Sequence, residues 1–186
     1  MTNEVIVVEY DPRWPRLFEE EKARLLGVVG DQIEDIQHIG STAVPGLGAK
    51  PIIDIQVSLR DLVLVQRCVG PLESIGYEYL GEYGVPGRHF FHKPARRPFS
   101  ERTHHLQIVE KGGEQWRKVL LFRDYLRAHP EVSQQYHLLK KGLASRFGAD
   151  REGYTEAKSA FVRSVLEKAE METASERDTA NFAEDA

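Results

Sequence analysis

Residues 51–59, PIIDIQVSL, limit the possible folds of this chain more than any other stretch. Ile53, Ile55, Val57 and Leu59 alternate with Asp54, Gln56 and Ser58. Successive side chains of an extended chain point to opposite sides, so this is a strand with one apolar and one polar face. The apolar face has to be covered, since each aliphatic side chain left in water forfeits roughly 1.5–3 kcal/mol. The polar face offers an aspartate to whatever lies there.

The flanking sequence supplies the covering elements. VIVVEY (5–10) reads as a short strand, and in DPRW Asp11 is the expected N-cap with Pro12 at the first helical position. Trp14, Phe18, Leu25 and Val28 form the stripe of that helix, which stops near Gly30. A second strand over 33–39 leads into Gly40-Ser41, and the loop STAVPGLGAKP carries two prolines and two glycines. After the alternating strand come a helix over 61–75 closed by Gly76 and strands near 77–83 and 88–93, turned by GVPG. In the next strand, within THHLQIVE, Leu106 and Ile108 share one face and His105 and Gln107 the other. Helices are predicted over 114–128, 131–147 and 151–169. Strands early and helices late make an α+β fold with a mixed or antiparallel sheet.

At 186 residues a single domain over 1–170 is expected. Residues 171–186, METASERDTANFAEDA, hold five acids and one base and lack apolar periodicity, so a disordered acidic tail is expected there. That tail accounts for the whole net charge of −4; the body carries 24 acids and 24 bases. A neutral body gives no electrostatic reason for binding duplex nucleic acid. No apolar run approaches the roughly 20 residues of a membrane span, and the N-terminus lacks the layout of a secretory signal. With Cys68 the only cysteine, an intrachain disulfide is excluded, and a cytoplasmic location is expected.

Residues 38–57, HIGSTAVPGLGAKPIIDIQV, combine a glycine–serine turn with the strand aspartate. Backbone N–H groups converging at such a turn attract an anion, Lys50 can reach a phosphate, and Asp54 suits Mg²⁺. The plain alternative is a turn and a surface aspartate. His38, His104 and His105 are candidate ligands or acid–base groups, or hydrogen-bonded structural histidines. His104 and His105 point to opposite faces of their strand, so at most one joins a given site. Arg123 and Arg127, one helical turn apart, can act together on an anion or form a solvated face. Lys93, Arg96, Arg97 and Arg102 lie in a proline-held loop that serves as a basic flap or as plain surface.

The runs YDPRW, IEDIQHIGSTAVPGLGAKPIIDIQV, GVPGRHFFHK, RTHHLQIVE, LLFRDYLRAHPE and YTEAKSAFV together resemble the GrpB family over about residues 4–168. The resemblance implies a bacterial protein of nucleotidyltransferase-type fold with extra C-terminal helices. It also implies a link to nucleotide or coenzyme A chemistry, because GrpB-like domains occur fused to dephospho-CoA kinase. Carried over residue by residue, Gly40 and Ser41 fit the phosphate turn and Asp54 the first metal carboxylate. Thr42, Lys50, Arg88, Arg102 and Arg123 complete the expected ligand-binding set. Gln56 stands at the second carboxylate position, and His105 and Gln107 stand where a third acid is expected. One carboxylate with neutral amides is a poor holder of two divalent ions.

The expected function is therefore binding of a small nucleotide or phosphate-containing ligand, with transfer of a nucleotidyl or phosphoryl group aided by one Mg²⁺ or Mn²⁺. Asp54 and His105 are then the catalytic and metal-binding residues. The alternatives are a non-catalytic module sensing a nucleotide or coenzyme A, and a His/Asp metal-dependent hydrolase.

Overall fold

In the computed structural model, which describes residues 6–98, 101–148 and 150–184 and omits the side chains of residues 151 and 176–184, the alternating segment forms strand β2 (Ile53–Leu59). β1 (Ile33–Ile39) pairs antiparallel along one edge of β2, and β5 (His104–Val109) pairs parallel along the other. β4 (His89–Lys93) and β3 (Glu78–Tyr79) continue antiparallel, giving the order β1-β2-β5-β4-β3. Helices α1 (Trp14–Val29) and α2 (Val65–Ser74) accompany the strands. α3 (Glu114–Ala128), α4 (Pro130–Phe147), α5 (Arg151–Ala157) and α6 (Ser159–Glu184) form the C-terminal part. This is the α+β class with a mixed sheet and helical C-terminal part that the sequence predicts.

The apolar face of β2, with Leu106, Ile108 and Phe91, lies under Trp14, Phe18 and Leu25 of α1 and Val65, Cys68 and Leu72 of α2. The polar face is also largely closed. Gln56 and Ser58 are fully buried, and the Gln56 amide reaches the Gln115 carbonyl of α3. Only at the start of β2 does the cover part, leaving the Asp54 side chain 29 % exposed. A second core, with Val44, Leu47, Leu126, Val132, Tyr136 and Val165, fastens α3, α4 and α6 to the loop after β1.

Four expectations are corrected. Residues 6–10 form no strand: Val8 alone bridges to Ala49, a loop residue with proline near it on either side, and proline cannot extend a ladder. Val5 lies outside the described residues. Asp11 closes a turn instead of capping the helix: its carboxylate takes the Arg13 backbone N–H and guanidinium, and α1 begins at Trp14 with Pro15 in its first turn. The predicted helix over 151–169 is two, broken at Lys158. Finally, α6 runs on to Glu184, through most of the segment read as a disordered tail. Residues 171–184 contain no glycine or proline, and alanine, glutamate, methionine and arginine continue a helix already anchored by buried Val165 and Ala169. Residues 185–186 lie outside the described residues.

Candidate functional site

The site grows from the turn after β1. Gly40 has φ 69°, and a Cβ there would stand 2.5 Å from Asp54 Oδ2, so only glycine lets the turn lie against the carboxylate. The following 3-10 turn, Ser41–Ala43, is held from outside by two arginines. Arg127 donates from Nε and Nη2 to the Ala43 carbonyl at 2.9 and 2.8 Å. Arg123 donates to the His38 carbonyl and to Gln37 Oε1, both at 2.9 Å. Parallel pairing sets Asp54 beside His105, and the His105 Nδ1 lies 3.0 Å from Asp54 Oδ1.

Facing this edge, α4 and α5 bring two lysines, each one turn beyond a tyrosine. Lys140 is 3 % exposed; it donates to Ser41 Oγ at 2.9 Å and to the Gly48 carbonyl, and its ammonium stands 4.7 Å from the Tyr136 ring. Lys158 lies 4.4 Å from the Tyr154 ring, and Lys50 lies 4.5 Å from the same ring. The faces of the two tyrosines carry negative charge density, which lessens the cost of withdrawing three ammonium groups from water. A cavity of about 240 Å³ remains between these groups, lined by Ser41, Thr42, Lys50, Asp54, His105 and the two tyrosine–lysine pairs. The lining thus carries three lysines against one carboxylate.

Burial, with Lys158 and then Lys50 nearby, pulls the Lys140 ammonium down to about 7, against the opposing pull of Asp54. Burial also lowers Lys158, again opposed by Asp54, and pushes the Tyr154 phenol up to about 12. Excess positive charge in a recess is the electrostatic signature of an anion site.

Several sequence candidates converge here: Ser41, Thr42, Lys50, Asp54 and His105 line the cavity, and Gly40 shapes it. Others do not. Arg123 and Arg127 are fasteners of the turn, because their donors are taken by the His38 and Ala43 carbonyls, Gln37 and Asp124. Arg88 donates to the Tyr83 carbonyl at 2.7 Å, and Arg102 is also away from the lining. In the proposed flap, Arg97 pairs with Glu101 and the Arg96 amide donates to Glu78, on the far side of β4; residues 99–100 lie outside the described residues. Gln56 and Gln107 share the polar face of Asp54 and His105 without lining the cavity.

His38 is structural. Its ring stacks on Phe18 with centroids 4.7 Å apart, its Nε2 lies 3.0 Å from Thr42 Oγ1, and burial drives it down to about 4. His104 turns to the opposite face, toward Glu21. Tyr136, Lys140, Tyr154 and Lys158 escaped sequence reasoning, although YHLLK and YTEAK repeat one Tyr-x-x-x-Lys pattern.

A two-metal centre needs carboxylates grouped at one rim. Among the described residues Asp54 is the only acid lining the cavity, and no three His, Cys, Asp or Glu side chains are grouped to hold a metal. The residues present do not fit such a centre.

The family model "GrpB protein" matches residues 4–168. The glutamate-rich protein GrpB of Alkalihalophilus pseudofirmus is 41 % identical over 164 residues, covering 88 % of this chain and 94 % of that one. A dephospho-CoA kinase of Mycolicibacterium paratuberculosis is 27 % identical over 188 residues, which are 89 % of this chain and 46 % of that longer protein. The crystal structure of the conserved protein GrpB from Enterococcus faecalis superposes with a TM-score of 0.80 at 38 % identity, over 88 % of this chain and 96 % of that one. By family model, sequence and fold together, this chain belongs to the GrpB family.

Proposed function

We propose that the cavity binds the phosphate groups of a small ligand, a nucleotide or nucleotide-like molecule. The convergence of Lys50, Lys140 and Lys158 on the Ser41–Thr42 turn, against a single carboxylate, carries this reading. Phosphate oxygens would replace the Gly48 carbonyl and Ser41 hydroxyl as partners of Lys140, turning a costly buried ammonium into a paired one. The nucleotide class is supported by the nucleotidyltransferase-type fold that the family resemblance implies, and by a relative named for dephospho-CoA.

A second reading, group transfer, is favoured by the Asp54–His105 pair. If His105 donates its Nδ1 proton to Asp54, Nε2 keeps a lone pair; that atom is closed to solvent in this structure, so its service as a base requires the ring to turn toward the cavity. In such a step a hydroxyl acceptor gives its proton to Nε2 and its oxygen forms a bond to phosphorus. The phosphorus–oxygen bond to the leaving phosphate breaks, and that oxygen keeps the electron pair. Water as acceptor makes the same step hydrolysis.

Calorimetry with tripolyphosphate separates lysine-held from metal-held phosphate. Without divalent ions, Asp54→Asn is expected to bind at least as tightly as wild type, since it removes the negative charge nearest the anion. Binding that requires Mg²⁺ or Mn²⁺ and vanishes in Asp54→Asn would instead make Asp54 a metal ligand. Tripolyphosphate that fails to bind wild type under either condition refutes the phosphate reading.

A further inference from the structure

The lysine cavity, at about 240 Å³, is smaller than the roughly 300–1,000 Å³ of a pocket that holds a whole drug-sized ligand. Two further spaces adjoin it, and all three share Thr155. One, about 370 Å³, is lined by Lys118, Lys158 and Arg163 and is basic. The other, about 790 Å³, is lined by Tyr83 and Gly84 and by Glu152 and Glu156 of α5. The two adjoining spaces therefore differ in charge and in aromatic character.

Tyr83 is an unusual residue for a surface loop. It is 47 % exposed, and its backbone is left-handed at φ 48°, a strained conformation for an aromatic residue. Several bonds hold it there. Arg88 donates to the Tyr83 carbonyl, the Gly87 amide donates to the Glu82 carboxylate at 2.7 Å, and the Phe90 amide donates to the Gly81 carbonyl at 2.8 Å. One side of the ring lies parallel to buried Phe90, with centroids 5.0 Å apart and planes at 11°. Phe90 in turn packs on His105 at 5.2 Å, which ties this ring series to the lysine cavity. The chain thus fixes a flat aromatic surface in the space that adjoins the lysine cavity.

We propose that Tyr83 is the stacking platform of a nucleobase subsite, so that the ligand is a nucleoside polyphosphate with its phosphates among the three lysines and its base on Tyr83. The inference rests on the phosphate reading of the cavity and adds the ligand's other end. Stacking on an aromatic ring accepts any base. The carboxylates of Glu152 and Glu156, which line the same space, accept hydrogen bonds only, so they favour bases bearing an exocyclic amino group over uracil, whose edge N–H is flanked by two carbonyl oxygens. Arg88, expected from the sequence to bind phosphate, becomes a positioning residue for the platform.

The test measures dissociation constants of tripolyphosphate, ATP and UTP for wild type, Tyr83→Ala and Tyr83→Phe. ATP is expected to bind wild type about tenfold more tightly than tripolyphosphate, with UTP between them, as one base–aromatic stack provides. Tyr83→Ala should erase that advantage and leave tripolyphosphate unchanged; Tyr83→Phe should keep it. If tripolyphosphate binds but ATP binds no more tightly, or if Tyr83→Ala leaves ATP unaffected, the base subsite is refuted while the phosphate site stands. If tripolyphosphate does not bind at all, both readings fall.

Discussion

Two charged clusters lie back to back through the same sheet, reached by adjacent residues of one strand. His104 turns toward Glu21, where the 1 %-exposed carboxylate receives Lys93 at 3.0 and 3.2 Å and Arg24, itself at the surface, at 3.2 Å. His105 turns toward Asp54 and its three lysines. In the first cluster burial alone would raise the Glu21 carboxyl, but the Lys93 hydrogen bond, then His104, hold it below its ordinary value. In the second, burial and like charges work together against the Lys140 ammonium. One cluster is complete within the fold, so it is structural. The other disfavours its own charge and would be relieved by an anion, which is what the proposed binding site requires. Buried charge whose ionic partners are not supplied by the chain is the kind that points to a ligand.

The largest effect should come from breaking the complete cluster. Glu21→Ala leaves Lys93 without its buried partner and is expected to lose about 3–5 kcal/mol of stability in chemical denaturation. Because the folded carboxyl is the stronger acid, the native contribution is present above the ordinary value of 4.5 and disappears as pH falls through the folded value.

His38 tests what burial does without a partner cluster. Its folded value of about 4 lies below the ordinary 6.5, so the unfolded chain takes up the proton first on acidification. Its stabilising effect is full above pH 6.5 and declines toward pH 4, by about 3 kcal/mol in all. His38→Gln should flatten stability against pH over that window; an unchanged slope would mean that His38 is not held neutral.

The opposite sign is expected in the proposed anion site. Lys140→Met should raise stability by about 1–2 kcal/mol at neutral pH, since a buried charge gives way to an apolar chain of similar volume, and should abolish tripolyphosphate binding. The cost of wild-type Lys140 is full below pH 7 and fades as pH rises from 7 toward 10.5, so the gap between the two proteins should close in alkali. A destabilised Lys140→Met would make Lys140 structural like Glu21 and remove the contrast between the clusters.

The smallest effect is a fraction of a proton. Lys140, pulled down to about 7, is partly neutral near neutral pH, and a phosphate beside it favours the ammonium, so binding should take up a fraction of a proton. Calorimetry of wild type in buffers of different ionisation enthalpy measures this directly; a binding heat that does not depend on the buffer would mean that Lys140 takes up no proton.

Much of the fold was legible because it is local. Alternation over 53–59 identified β2, its faces and the position of Asp54, and alternation in THHLQIVE separated His104 from His105. Where local signals misled, tertiary surroundings had overridden them: the β-branched run before residue 10 found a loop, not a sheet edge, and the acidic final segment continued an anchored helix. For the site, sequence alone reached the turn at Gly40-Ser41, Lys50, Asp54 and His105, all on the sheet or its loops. It did not reach Lys140 and Lys158, although each stands four residues after a tyrosine. Such spacing says that a lysine and a ring can meet on one helix, as surface pairs do throughout proteins. That Tyr136, Lys140 and Tyr154 are buried and Lys158 half-buried, and that they close over Asp54 from about a hundred residues away, depends on how α4 and α5 pack across the open end of β2. Backbone periodicity is written residue by residue in the chain, whereas the excess charge of a pocket exists only after distant segments have been brought together and water has been excluded.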